Sequence, residues 1–173
     1  MINKKTSYTL GICNCETSSV CLFSNGSLIS AVSEERFTRK KYDSSFPLKS
    51  IEYVLKHANI NLKDVEHIAY AWTKGFNPEL KLNYDKRAAD CKKISENAFK
   101  IFSDRIKIEA KRDKKNLERF EEWKQTSLTA NQSKSILTFY HHEAHAASAA
   151  FLSPFDEGMV LTSDARGDFE SLT

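Results

Sequence analysis

Apolar and polar residues alternate over residues 8–13, 19–24 and 27–32, which predicts three short strands. Asn25-Gly26 between the second and third is the residue pair of a two-residue hairpin turn, so the three read as a β-meander. The period then changes. After Phe46-Pro47, apolar residues at 51, 54, 55 and 58 have helical spacing. Residues 64–72 alternate again and end apolar, as a fourth strand would. From 78 to 129 the pattern is that of long, charged helices, with Ala88, Cys91, Ile94, Ala98 and Ile101 recurring at intervals of three and four, and Leu117, Phe120 and Trp123 likewise. The polar run Lys111-Arg112-Asp113-Lys114-Lys115 between these groups is expected to be exposed or to break the helix. Residues 135–140 predict a fifth strand that runs directly into an Ala-rich helix. Residues 159–163 form an apolar run expected to be a buried strand, closed by Asp164 at its C-terminal end. Residues 164–170 then open a further strand and turn, which points to a truncated domain. The pattern as a whole predicts an α/β fold with a mixed sheet.

Composition narrows the class. A chain of 173 residues suits one domain, and 40% hydrophobic residues suffice for a core. No apolar run approaches the ~20 residues of a membrane span, and no signal peptide is read at the N-terminus. Four cysteines without a secretory signal predict reduced thiols in a cytoplasmic protein. Cys13, Cys15 and Cys21 offer soft-metal ligands, but they fall on strand-like runs where Cys commonly serves as a small core residue. The net charge of +3 is uneven: residues 81–134 hold 15 Lys and Arg against 9 Asp and Glu, and the rest of the chain is net acidic. Without interleaved glycines, that basic segment argues for solvated helix faces over a nucleic-acid partner.

Candidate chemistry gathers near the end. His141 and His145 stand four positions apart in the run 140–150, so both imidazoles project from one helix face. With Asp164 they make a facial set of two nitrogens and one oxygen, which suits Fe, Mn or Zn with positions left open. The bland alternative is a helix terminus with one capping His and two solvated ones. The zincin pattern does not apply, because it requires His where Ala146 stands. His142, Glu143 and Gly167 are secondary candidates. Residues 14–18 form a small polar loop of the kind whose backbone N–H groups can face an anion. Arg39, Lys40 and Lys41, in the dense charged patch 33–42, could hold phosphate groups; otherwise that patch is a solvated connection with internally paired charges.

Taken together, several runs resemble the N-terminal part of the O-carbamoyltransferases of nodulation and antibiotic-tailoring pathways. They are Gly11-Ile12, Ser19-Val20-Cys21-Leu22, Asn25-Gly26-Ser27-Leu28 and Glu34-Glu35-Arg36-Phe37-Thr38-Arg39-Lys40-Lys41, with Phe46-Pro47. The most specific is His141-His142-x-Ala144-His145-Ala146-Ala147-Ser148-Ala149 with Ser153-Pro154-Phe155-Asp156-Glu157. The resemblance covers about residues 8–72 and 136–173. It implies an actin/hexokinase-like (ribonuclease H-like) fold, incomplete here, with the charged helical stretch at about 78–134 as an insertion. It also implies an enzyme that uses ATP and carbamoyl phosphate to make carbamoyl adenylate and passes the carbamoyl group to a small-molecule hydroxyl acceptor at a divalent metal.

On that resemblance His141, His145 and Asp164 are metal ligands, and Arg39 and Lys40 lie near phosphate or carbamoyl groups. The remaining half of the domain and a YrdC-like domain would be needed for the full reaction, on a separate chain if not on this one. Where the family carries a Gly-His-Asp triplet in its first loop, this chain has Cys15-Glu16-Thr17, and Ala165 replaces a glycine. Two other readings stand beside the enzyme: a non-catalytic remnant or interaction module of the same fold, and a relative of the tRNA threonylcarbamoyl-transfer protein, whose His-x-Glu-x-His signature residues 141–145 also satisfy.

Overall fold

The computed structural model describes residues 6–163 apart from 16, 72–85 and 87. Asp164 and Gly167 therefore lie outside the described residues. The chain divides into two compact units, residues 1–73 with 118–139, and residues 74–117 with 140–173.

The first unit is built on a mixed five-stranded sheet. Its strands are β1 (Tyr8–Cys13), β2 (Ser19–Ser24), β3 (Ser27–Ser33), β4 (His67–Ala71) and β5 (Ile136–Phe139). They lie in the order β3-β2-β1-β4-β5. The β1–β2 and β2–β3 pairs are antiparallel, and the β1–β4 and β4–β5 pairs are parallel. The β2–β3 turn takes positive φ at both Asn25 (49°) and Gly26 (83°), as a two-residue turn matched to strand twist requires. The Asn25 side chain also accepts the Ser7 N–H at 3.0 Å. Ile29 is the extra residue of a bulge where the β2–β3 register shifts.

Period-two alternation puts Leu10 and Ile12, Val20 and Leu22, and Ile68 and Tyr70 on one face, all at most 3% exposed. Register aligns them in rows: Leu22 beside Leu10 beside Ile68, and Val20 beside Ile12 beside Tyr70. Helix α2 (Leu48–His57) covers β2 and β3 on this unit, burying Ile51 and Val54. The long helix α4 (Glu96–Ser127) contributes its last turns: Phe120 stacks on Tyr70 with centroids 4.0 Å apart, and Trp123 packs against Phe46 at 5.4 Å.

Helix α4 is continuous through residues 111–115, so of the two readings of that polar run, an exposed stretch or a helix break, it is not a break. The run contains no Gly or Pro, and Lys and Arg are good helix formers, so charge alone did not stop it. Helix α5 (Ala130–Lys134) follows after Thr129, which caps it reciprocally with Gln132. The buried Gln132 amide then donates to the Leu62 and Val65 carbonyls (3.0 Å to Val65), fastening the approach to β5 onto the approach to β4.

The second unit holds residues 88–94 (α3), the first part of α4, helix α6 (His141–Ala150), and the segment 151–163. Residues 159–163 were expected to be a buried strand. Residues 159–162 carry no strand pairing, and Met159 and Leu161 are 96% and 71% exposed. An apolar run becomes a strand only when another backbone takes its N–H and C=O groups. Among the described residues of this segment, a bridge forms at Ser163 alone. Helices α3 and α4 show exposed ion pairs at helical spacing, such as Lys107–Asp104 at 3.7 Å, which contribute little to stability.

Candidate functional site

Helix α6 begins where β5 ends, after the single residue Tyr140. The Glu143 carboxylate accepts the Tyr140 N–H at 3.0 Å and so closes the first turn. This gives Glu143, a secondary site candidate, a structural partner at the helix start. Ala at 144, 146, 147, 149 and 150 supplies helix propensity and leaves the histidines as the reach of this face. With its start fixed, α6 sets His141 and His145 one turn apart. Their Nε2 atoms lie 3.0 Å from each other, with ring centroids 4.5 Å apart and planes at 87°. His145 is exposed and His141 half-buried.

The pair fits a metal. Two nitrogens bound tetrahedrally to one Zn ion at about 2.0–2.1 Å would stand roughly 3.3 Å apart, so the observed separation is close to what one shared ion requires. In the arrangement seen, one ring's N–H donates to the other ring's nitrogen. His142 faces elsewhere: it is 8% exposed, and its Nδ1 lies 3.1 Å from the Thr162 hydroxyl, itself buried. That contact secures residue 162 to α6, two positions before Asp164. Among the described residues no group of three His, Cys, Asp or Glu side chains is placed to hold a metal ion.

The other predicted residues lie in the first unit. Arg39 ends the short helix α1 (Glu35–Thr38) in a left-handed conformation, φ 59°, with its N–H donating to the Glu35 carbonyl at 2.9 Å. Arg39 and Lys40 are both exposed. One acidic member of this patch, Glu34, departs from the reading of a solvated connection. Glu34 is 3% exposed, and its carboxylate accepts the Ser50 N–H at 2.8 Å, the Ser50 hydroxyl at 2.6 Å and the Lys49 N–H at 3.2 Å. Those N–H groups are open donors in the first turn of α2, so burial of the charge is offset by capping.

Asp43 is equally buried; a bond from the Thr38 side chain, then the Ser45 backbone N–H, holds its carboxyl down at about 2. Ser18 joins this cluster to the β1–β2 loop: its N–H donates to the Asp43 carbonyl and its carbonyl accepts the Glu34 N–H, both at 2.9 Å. Its hydroxyl donates to Asn14 Oδ1 at 3.2 Å in a fully buried setting. Sequence reasoning missed these anchors, although Asp43-x-Ser45 carried the signal of an Asx turn. A cleft of about 510 Å3 beside Phe46, Arg119, Glu122 and Trp123 is lined by none of the predicted site residues.

The fold and site together define an α/β protein that presents a histidine pair on a helix leaving a parallel edge strand. Comparison with known proteins gives that class a family. Residues 9–172 match the model of the carbamoyltransferase N-terminus, and the chain belongs to this family. It is 32% identical over 151 residues to the nodulation protein NolNO of Sinorhizobium fredii, covering 87% of this chain and 19% of that protein. It is 35% identical over 161 residues to the uncharacterised protein sll1178 of Synechocystis, covering 88% and 24%. It is also 30% identical over 159 residues to the uncharacterised protein MJ1051 of Methanocaldococcus jannaschii, covering 92% and 22%. The chain thus spans about a fifth to a quarter of the length of these relatives. No described helix is long and apolar enough to cross a membrane.

Proposed function

We propose that this chain is the metal-binding N-terminal portion of an O-carbamoyltransferase that uses ATP and carbamoyl phosphate to carbamoylate a small-molecule hydroxyl. The observation that carries the reading is the convergence of His141 and His145 Nε2 at 3.0 Å on one helix of a chain in the carbamoyltransferase family. A divalent Fe, Mn or Zn ion held there, with Asp164 as a further ligand, would polarise a carbonyl or phosphoryl oxygen and orient the acceptor. His141 and His145 would do the holding, while Glu143 and His142 keep their helix start and backing segment in place. Arg39 and Lys40 offer exposed positive charge for a phosphate or carbamoyl group.

The sheet order β3-β2-β1-β4-β5, with antiparallel β1–β2–β3 and parallel β4 and β5, supports assignment to the actin/hexokinase-like folds. Four free cysteines agree with a reducing, cytoplasmic setting. The complete reaction would draw on a second half and a YrdC-like domain, within a longer chain or on a separate one.

The test is transfer of labelled carbamoyl phosphate, with ATP and a panel of hydroxylated acceptors, by the complete protein carrying this domain. Transfer that needs added metal and falls at least ~100-fold in His141→Ala and in His145→Ala is the expected result. Transfer unchanged by both substitutions would overturn the reading.

A further inference from the structure

The loop after β1 carries a pair of groups that the proposed reaction does not use. Cys13 is the last residue of β1 and Cys15 sits at the bend two positions on. Residues i and i+2 of an extended segment present side chains to the same face with Cα atoms about 6.6 Å apart. That lies within the usual span of ~4.4–6.8 Å for bridged cysteines. The bend brings the two Sγ atoms to 3.2 Å, and both side chains are half-buried with free thiols. The other two cysteines are placed differently. Cys21 stands opposite Gly11, where a β-carbon on Gly11 would lie 2.5 Å from its sulfur, so the thiol fills the space over the glycine. Cys91 belongs to the second unit.

We propose that Cys13 and Cys15 form a redox modification site, a vicinal thiol pair that hydrogen peroxide converts reversibly into an intrachain disulfide. Position in the fold sets the order of events: Cys13 belongs to the strand end, whereas Cys15 sits at the bend of the loop. Cys15 is the sulfur oxidised first, losing two electrons to peroxide and becoming a sulfenic acid as the O–O bond breaks and one water leaves. The hydrogen bond with Cys15 first, and burial second, raise the Cys13 thiol, in keeping with its later part in the sequence. Cys13 Sγ then attacks Cys15 Sγ, the S–O bond breaks, the S–S bond forms, and the hydroxyl departs with the Cys13 proton as a second water. Two thiols and one peroxide give one disulfide and two waters. A dithiol reductant reverses the step by thiol–disulfide exchange.

The bridge falls on the loop 14–18, the candidate anion loop of this fold. Asn14, between the two cysteines, holds the Ser18 hydroxyl, and Ser18 in turn ties the loop to Asp43 and Glu34. Closing a ring across Asn14 therefore restrains the loop at its fastening point.

The test is mass spectrometry with thiol alkylation of the purified 173-residue chain, before and after a stoichiometric pulse of hydrogen peroxide. Expected is a loss of about 2 Da and of two alkylatable thiols together, mapped by fragmentation to residues 13 and 15 and restored by dithiothreitol. The Cys21→Ser/Cys91→Ser chain should behave identically. Adding Cys15→Ser, checked for folding by circular dichroism, should leave Cys13 alkylatable. A bridge between any other pair, a gain of about 32 Da at Cys15 with Cys13 still alkylatable, or four unchanged thiols would each overturn the proposal.

Discussion

The two units treat large apolar side chains in opposite ways. In the sheet unit Leu10, Leu22, Val54 and Ile68 are fully buried, each beside a partner fixed by strand register or helix face. In the second unit Phe151, Leu152, Phe155 and Met159 are 87%, 65%, 77% and 96% exposed. The same residue types thus carry stability in one region and little in the other. The histidine pair proposed to carry the chemistry belongs to the unit with these exposed side chains. The lesson is that the sheet unit is specified by packing, whereas the histidine site is specified by a short helix, its Glu143 cap and the Thr162 contact.

The largest expected difference follows from truncating equivalent apolar side chains. Leu10→Ala should destabilise by ~2–5 kcal/mol in chemical denaturation, since it opens a cavity among registered neighbours. Phe151→Ala should change stability by no more than ~0.5 kcal/mol in the same measurement. Equal effects would break the contrast. Next comes the tight contact behind β1. Gly11→Ala would set a β-carbon against the Cys21 sulfur and should cost ~1–3 kcal/mol, with most of the loss relieved in Gly11→Ala/Cys21→Ala.

A smaller effect is expected at Asp43. Its carboxyl is lowered to about 2 in the fold, so the charged form is favoured there relative to the unfolded chain. The stabilisation is complete above the ordinary carboxylate value near 3.8 and fades as pH falls from there to about 2. Asp43→Asn should therefore lose ~1–2 kcal/mol at neutral pH and show a flatter acid denaturation profile between those values.

What could be read from the sequence follows the range over which each feature is determined. The β1–β2–β3 meander was legible because period two and the Asn25-Gly26 turn are local signals. Helix α2 and the one-turn spacing of His141 and His145 were legible for the same reason. Glu34 and Asp43 were not, because a carboxylate in a charged run looks solvated until its capping partner appears; for Glu34 that partner, Ser50, is 16 positions on. The run 111–115 reads as either a polar stretch or a helix break, and with no Gly or Pro in it helix propensity carries α4 through. Helix α5 was overlooked although Thr129-x-x-Gln132 announces its start. The run 159–163 was taken for a strand because apolar residues do not say where their partner lies. The actin/hexokinase-like assignment and the Asp164 ligand go beyond the described residues and rest on the proposal.

The central claim is that His141 and His145 jointly hold a metal ion. The most direct measurement is elemental analysis of the purified chain after equilibration with Fe, Mn or Zn and removal of excess, beside His141→Ala/His145→Ala. The account expects a stoichiometric ion in the natural sequence, lost in the double variant while the circular dichroism of the fold is unchanged. An equal metal content in both proteins, or none in either, would contradict it.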